Sequence, residues 1–251
     1  MDGFQYTGVN ELADQLSLTY LVTGTSIIIA KNSLLEYICP INGYTGDDGA
    51  LKIMDTANRS KRKQAHAQRI MIIRHAEKPY DDGREQNDGV RMDGSKSNES
   101  LAVRGWQRAG ALSFLLGSPE IAQSRGLSVP QVLYASDPEK ADKIGSKSRR
   151  PKQTLIPLAQ RLDLIIKAGW TKGQEVKLVR DVLKQTGIVL ISWQHELIPK
   201  IAAAIPGGDI PQTRTWDDKR FDLIWVFDLL PDGTYAFNEF HQDLLSDDLG
   251  F

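Results

Sequence analysis

Three short apolar runs, each followed by a polar loop and a helical pattern, constrain the fold of this chain more than any other feature. Residues 70–73 form a compact run that suits a strand buried on both faces, and residues 131–135 and 187–192 repeat it. The helical segments that follow these runs are residues 101–116, residues 151 to about 162, and a stretch ending near Ala204. Strands that alternate with helices predict a mainly parallel sheet covered on both faces. The expected fold class is therefore α/β, with three layers in the order α/β/α.

Two later segments complete the predicted sheet. Residues 221–227 and 234–240 are rich in apolar and aromatic side chains, and the Pro-Asp-Gly sequence between them is a hairpin signal. We therefore expect two strands joined by a tight turn.

The chain before residue 69 has a different character. Glycine, asparagine, threonine and aspartate are scattered through it, and residues 42–49 are rich in turn formers. Residues 11–21 suit a short helix, and residues 26–30 suit either a strand or part of a buried helix. We predict an N-terminal appendage at residues 1–68, whose role the pattern does not define, and one main domain at residues 69–251.

Composition excludes several classes of protein. The formal net charge is -1, so no overall positive field draws the chain to nucleic acid or to an anionic membrane. The single cysteine, Cys39, excludes an internal disulfide and a cysteine-rich metal site. The most apolar stretch, residues 16–30, is too short and too polar to span a membrane. We expect a cytoplasmic protein with no metal, no cofactor and no nucleic-acid or membrane partner; its oligomeric state stays open.

The predicted strands end in residues that suit phosphate chemistry. Arg74 and His75 follow the first strand, Arg150 lies in the loop after the second, and His195 follows the third. Because ligands bind beyond the carboxyl ends of parallel strands, these side chains are expected to converge. Arginine offers a planar fork of donors that matches phosphate oxygens. Imidazole can be an uncharged nucleophile at neutral pH, and a helix beginning at Pro151 would add backbone donors for an anion.

Four motifs in this part of the chain resemble the histidine phosphatase superfamily, whose members share the phosphoglycerate mutase-like fold. "RHAEKP" resembles the family's Arg-His-Gly signature, with Ala76 where glycine is usual. "LAVRGWQRAGAL" and "SRRPKQTL" resemble two helix-start elements, and "VLISWQHELIP" resembles the strand that carries the second histidine. The resemblance covers about residues 69 to 240, and the four motifs occur in the family's order.

The resemblance implies a role for each matched residue. His75 would be the nucleophile that becomes phosphorylated, Arg74 and Arg150 would bind the phosphoryl oxygens, and His195 would donate a hydrogen bond that stabilises the transferred charge. Arg150 fits the pattern better than Arg149, because it lies three residues before Gln153. No metal is required, since positioning and electrostatic stabilisation supply the catalysis.

The proton donor to the leaving oxygen stays open between carboxylates. Glu196 follows the second histidine, as an acidic residue does in the acid-phosphatase branch of the family, and it is preferred. Glu77, two residues after the nucleophile, competes with it, and Asp137 at the end of the second strand is a third candidate.

Three functions fit this pattern. A phosphatase acting on a small phosphorylated molecule is preferred. A phosphoglycerate mutase is the alternative within the same chemistry, but the sequence from Glu77 to Pro79 replaces the Ser-x-x-Asn continuation that the mutase-like segment carries. A non-catalytic phosphate-binding or regulatory domain would not need to retain a nucleophile.

Overall fold

The computed structural model describes residues 19–23, 26–31, 34–40, 66–81, 86–138, 147–207 and 214–249. The chain divides into two units, residues 1–64 and 65–251. The main-domain boundary predicted after residue 68 falls four residues beyond this division.

The first unit contains a three-stranded antiparallel sheet. Its strands are β1 (Thr19–Thr23), β2 (Ser26–Lys31) and β3 (Leu34–Pro40), in the order β1-β2-β3. Of the two alternatives for residues 26–30, the strand is therefore correct, as expected for three successive isoleucines. The short helix expected over residues 11–21 is wrong for residues 19–21, which belong to β1, and its remainder lies outside the described residues.

A six-stranded sheet forms the centre of the second unit. Its strands are β4 (Ala67–Arg74), β7 (Val132–Ser136), β8 (Ile166–Trp170), β9 (Gly187–Trp193), β10 (Leu223–Leu229) and β11 (Tyr235–His241), and a separate small pair is β5 (Tyr80–Asp81) with β6 (Gln86–Asn87). The order is β11-β10-β4-β9-β7-β8. Strands β4, β9, β7 and β8 pair in parallel, whereas β10 runs antiparallel to both of its neighbours. The predicted mainly parallel sheet is confirmed, and so is the late hairpin.

Helices cover both faces of this sheet. They are α1 (Val103–Gly117), α2 (Pro119–Ser124), α3 (Arg150–Leu162), α4 (Glu175–Val182) and α5 (Ile198–Ala204). Alternate residues of β4 point to opposite faces. Ile70 and Ile72 belong to the core cluster that contains apolar side chains of α4 and α5. Met71 and Ile73 belong to the cluster that contains those of α1, α2 and α3. The predicted α/β/α layering is confirmed.

The strand order brings three carboxyl ends together. Strand β9 lies between β4 and β7 and is parallel to both. The residues that follow these strands therefore emerge side by side at one edge of the sheet. The backbone N–H of His75, just past β4, donates to the carbonyl of Trp193 at the end of β9 over 2.9 Å. This bond fixes the first histidine against the strand that leads to the second.

Helix α1 packs closely against the loop after β4. The carbonyl of Glu77 accepts a hydrogen bond from the N–H of Ala102 over 3.0 Å. A Cβ on Gly105 would come within 2.5 Å of the same carbonyl oxygen. Glycine at this position therefore allows the first turn of α1 to approach the loop that carries His75, which explains the glycine of the second motif.

Candidate active site

Arg74 is the last residue of β4 and is almost completely buried. Its Nη1 donates to the backbone carbonyls of Asp218 and of Arg220, the latter over 3.2 Å. The ring of Phe221 covers the guanidinium, with its centroid 3.7 Å from Cζ, a cation–π geometry. Nε and Nη2 have no partner among the described residues. Burial lowers the pKa of Arg74 to about 10, so the group is still cationic near neutrality and keeps two donors for a ligand.

The ring of His75 is buried and held in one tautomer. Its Nδ1 lies 2.8 Å from the carbonyl oxygen of Ala76. Because a carbonyl can only accept, Nδ1 carries the proton and Nε2 keeps its lone pair. Burial lowers the pKa of His75 to about 3, and the charges of Arg150 and Arg74 add to the lowering. The imidazole is therefore neutral at physiological pH, as a nitrogen nucleophile must be.

Arg150 is the first residue of α3. Its Nη1 donates to the carbonyl of Asn98 over 2.8 Å, and its Nε has no partner among the described residues. The hydroxyl of Thr154, one turn later, donates to the carbonyl of Arg150 over 2.8 Å and accepts the N–H of Ala76 over 2.9 Å. The threonine of the third motif therefore ties the start of α3 to the residue after His75.

His195 begins a 3-10 turn, residues His195–Leu197, directly after β9. Burial lowers its pKa, with the charge of Arg74 adding to the lowering and that of Glu196 opposing it. Its Nδ1 lies 3.2 Å from Oε2 of Glu196, but the two atoms do not form a hydrogen bond. A neutral imidazole at this position can still donate one N–H to a bound anion.

Glu196 is half-exposed and ion-paired. Nζ of Lys172 donates to its Oε1 over 2.6 Å, with side-chain exposures of 40% for the lysine and 43% for the glutamate. Burial acts to raise the pKa of Glu196, but the hydrogen bond and charge of Lys172 and a backbone hydrogen bond together outweigh it, and the pKa is lowered. The carboxyl group is therefore ionised near neutrality.

One cavity of about 170 Å³ joins these groups. It is lined by Arg74, His75, Lys78, Ser148, Arg150, Lys172, Gln194, His195 and Glu196. The side chains predicted at the ends of β4 and β9 and at the start of α3 thus meet in one place. The volume is below the 300–1,000 Å³ that is usual for drug-sized ligands, and suits a phosphate-sized group with a small extension.

Glu77 lies elsewhere, against a second cavity of about 250 Å³. Its Oε1 accepts hydrogen bonds from Nε and Nη2 of Arg108 over 2.9 and 2.8 Å. Asp248 accepts from the same guanidinium over 2.8 and 2.6 Å. The carboxylate two residues after His75 is therefore engaged in a buried ion-pair network, whereas Glu196 lines the cavity that contains His75.

The two other residues weighed from the sequence do not line this cavity. Asp137 follows β7, and its backbone N–H donates to the carbonyl of Trp170 over 2.8 Å. Arg149 is exposed, and its backbone N–H donates to the carbonyl of Glu99 over 3.0 Å. The register that favoured Arg150 over Arg149 agrees with the lining of the cavity.

Four lining residues were not predicted from the sequence. Ser148 and Gln194 lie within two of the four motifs, but nothing in the sequence indicated a role for their side chains. Both are buried, and Nε2 of Gln194 donates to Ser136 over 2.9 Å. Lys78 also lies in a motif. Lys172 follows β8, a strand that the apolar pattern did not indicate.

Two other kinds of site are not found among the described residues. Among them, no group of three or more histidine, cysteine, aspartate or glutamate side chains is arranged to hold a metal ion. No helix in the described part of the chain is long and apolar enough to cross a membrane.

The fold and the site define an α/β protein with a cationic, two-histidine cavity at the carboxyl edge of its sheet. No family model matches the chain, and no curated protein matches it. It is similar to the crystal structure of the "putative phosphohistidine phosphatase SixA" from Agrobacterium tumefaciens, at 14% identity and a TM-score of 0.33, over 64% of this chain and 92% of that one. The six-stranded sheet flanked by helices is consistent with a phosphoglycerate mutase-like fold. The activity has to be inferred from the cavity itself.

The low pKa of His75 predicts a specific pH dependence of stability. The folded-state pKa of about 3 lies below the ordinary value of 6.5, so the unfolded chain takes up the proton first as the pH falls. The contribution of His75 to the unfolding free energy is fully present above pH 6.5 and is lost progressively as the pH falls toward 3. Between pH 7 and pH 5 the native protein should lose about 2 kcal/mol more unfolding free energy than His75→Asn. Urea unfolding at both pH values measures this, and equal losses would contradict it.

Proposed function

We propose that the protein is a phosphatase that hydrolyses a small phosphomonoester through a phosphohistidine on His75. The observation that carries this proposal is the hydrogen bond from Nδ1 of His75 to Ala76, which leaves Nε2 as a neutral nucleophile. Arg74 and Arg150 line the same cavity and have guanidinium N–H groups without protein partners among the described residues. A neutral nucleophile beside two free cationic donor groups suits attack on a phosphoryl dianion.

The first step transfers the phosphoryl group to nitrogen. Nε2 of His75 attacks phosphorus in line as the P–O bond to the leaving alcohol breaks, and the alkoxide takes a proton from an acid in the site. Arg74, Arg150 and His195 hold the three equatorial oxygens, whose charge they stabilise through the loose transition state. The hydrogen bond from Nδ1 to Ala76 stabilises the positive charge that develops on the imidazole.

The second step hydrolyses the phosphohistidine and regenerates free His75. A water molecule attacks phosphorus, the P–N bond breaks, and inorganic phosphate leaves as Nε2 regains its lone pair. The carboxylate that gave up its proton in the first step accepts one from the attacking water. One acid–base group therefore serves both half-reactions, and no net proton is gained or lost by the enzyme.

Glu196 is the proposed acid–base group, because it lines the cavity that contains His75. The hydrogen bond from Lys172 favours its ionised form. A phosphoryl dianion bound next to Glu196 would disfavour a second negative charge and raise the pKa of its carboxyl group. Substrate binding thus favours the protonated form that the first step requires.

The acid is tested by the dependence of rate on the leaving group. Glu196→Gln is expected to slow hydrolysis of alkyl phosphates about a hundredfold, and of p-nitrophenyl phosphate by much less, because nitrophenolate needs no proton to leave. The measurement is kcat/KM for both substrates, with Glu120→Gln, an exposed glutamate of α2, as the control. Equal slowing of both substrates would exclude Glu196 as the proton donor.

The phosphohistidine itself is tested by trapping. Brief mixing with ³²P-labelled p-nitrophenyl phosphate, followed by an alkaline denaturing quench, is expected to leave label on the protein that acid removes, as a P–N bond requires. Peptide mapping should locate it at residue 75. Turnover at an undiminished rate with no label at any quench time would overturn the covalent mechanism.

A further inference from the structure

The proposed active-site cavity changes in character from floor to mouth. Arg74, His75 and Gln194 are buried at its base. Lys78 is exposed, and Lys172 keeps two fifths of its side-chain surface accessible. The groups assigned to the phosphoryl moiety are thus the deeper ones, and the lysines face whatever part of a substrate extends toward solvent.

The positive charge that lines the cavity exceeds the negative charge of a simple phosphate ester. Four cationic side chains and one carboxylate line the cavity, an excess of three positive charges when both histidines are neutral. A phosphomonoester carries about two negative charges at neutral pH. After Arg74 and Arg150 are matched with a phosphoryl dianion and Lys172 with Glu196, Lys78 still lacks an anion inside the cavity.

Both lysines line the cavity together with His195. Lys172 is hydrogen-bonded to Glu196, the neighbour of His195. The charge of Lys78 also reaches His195, whose pKa it helps to lower. An anionic group at the mouth, on the side of His195, would therefore meet both ammonium groups.

Resting on the proposed function, we propose that Lys78 and Lys172 form an anion subsite at the mouth of the cavity. The preferred substrates are then phosphomonoesters that carry a second anionic group, such as a carboxylate or another phosphate. Because both lysines line the same cavity of about 170 Å³ as His75, that group should lie within a few bonds of the ester.

Such a substrate would also act on the proton donor. Its second anionic group competes with Glu196 for the ammonium of Lys172, and a charge-assisted hydrogen bond of 2.6 Å is exchanged for one of the same kind. Release from Lys172 removes a contact that favours the ionised carboxylate. Binding of the second anionic group and protonation of Glu196 are thereby coupled.

The test compares two esters that differ by one carboxylate, ethyl phosphate and carboxymethyl phosphate. We measure kcat/KM for both, from released inorganic phosphate, in the native protein, Lys78→Gln and Lys78→Gln/Lys172→Gln. Lys177→Gln, which changes an exposed lysine of α4 outside the cavity, is the control. The ratio of the two constants cancels effects of the variants on the chemical step that both esters share.

The carboxylated ester should be preferred, and this preference should fall about fivefold in Lys78→Gln and further in the double variant, but not in Lys177→Gln. A preference that is absent, or unchanged in Lys78→Gln, would overturn the subsite while leaving the phosphatase intact. If neither ester is hydrolysed, the proposed function fails, and calorimetric affinities of both esters for the same proteins decide the subsite by the same ratio.

Discussion

Replacement of His75 by asparagine is expected to lower kcat for p-nitrophenyl phosphate at least about a thousandfold, because no other described group in the cavity offers a neutral imidazole held at Nδ1. Asparagine keeps an N–H that can donate to Ala76 but has no nucleophilic nitrogen. Since Arg74 and Arg150 are unchanged, inorganic phosphate and vanadate should still bind. The measurements are steady-state kinetics and calorimetric titration with phosphate.

A matched control is His66→Asn. His66 is exposed, and its Nδ1 contacts the carbonyl of Leu183, outside the cavity, so this variant should keep the native kcat. If His75→Asn retains a tenth of the activity or more, the nucleophile is another residue. A native protein that binds phosphate but turns over no ester would be a phosphate-binding domain, the alternative from a different functional class.

The apolar pattern located strand middles better than strand ends. Residues 70–73 were predicted, whereas β4 spans Ala67–Arg74, because only the doubly buried centre of a strand is continuously apolar. Arg69 belongs to the strand because its guanidinium pairs with Asp228 on β10, with Nε 2.5 Å from Oδ1. That partner lies 159 residues along the chain, and nothing near Arg69 indicates it.

Strand β8 and helix α4 were not predicted, and without β8 one lining residue of the cavity, Lys172, was missed. The sequence of β8, Ile-Lys-Ala-Gly-Trp, alternates half-buried and exposed residues. An edge strand of this kind lacks the apolar run that marks a central one. Lys172 lies in the loop after β8, so its contact with Glu196 could not be inferred without that strand.

The motifs located the residues that line the floor of the cavity, because each of these candidates adjoins the end of a sheet strand or the start of a helix. They could not separate Glu77 from Glu196, since spacing from a histidine does not determine where a side chain points. The direction of Glu77 depends on Arg108, a guanidinium on α1 that the pattern marks only as a helical position. Tertiary contacts of this kind are invisible to periodicity.

Arg108→Met is expected to destabilise the fold by about 3–5 kcal/mol, the usual cost of removing one partner from a buried ion pair. Arg108, Glu77 and Asp248 have side-chain exposures of 2%, 7% and 3%. Although burial acts against it, the pKa of Asp248 is lowered by its hydrogen bond from Arg108. Methionine fills similar space but leaves Asp248 without a cation and leaves Glu77 with only the longer contact to Arg104, at 3.8 Å. The measurement is the unfolding free energy in urea at pH 7.

A second ion pair close to the same C-terminal segment supplies the control. Arg125 and Asp243 are 2.6 Å apart, but their side chains are 40% and 33% exposed, so Arg125→Met should cost no more than about 1 kcal/mol. A comparable loss in both variants would mean that burial does not determine the cost.

The pH dependence of the stability deficit of Arg108→Met distinguishes uncompensated buried charge from lost packing. If uncompensated charge causes the loss, lowering the pH from 7 to 5 should reduce the deficit of Arg108→Met, because protonation neutralises carboxylates that have lost the guanidinium of Arg108. Adding Glu77→Gln and Asp248→Asn to Arg108→Met should recover part of the stability at pH 7. A deficit that is independent of pH and of these substitutions would instead assign the role of Arg108 to packing. Since Glu77 lies two residues after His75, recovery of stability should also restore the loop that holds His75. The rate of p-nitrophenyl phosphate hydrolysis by the triple variant measures this.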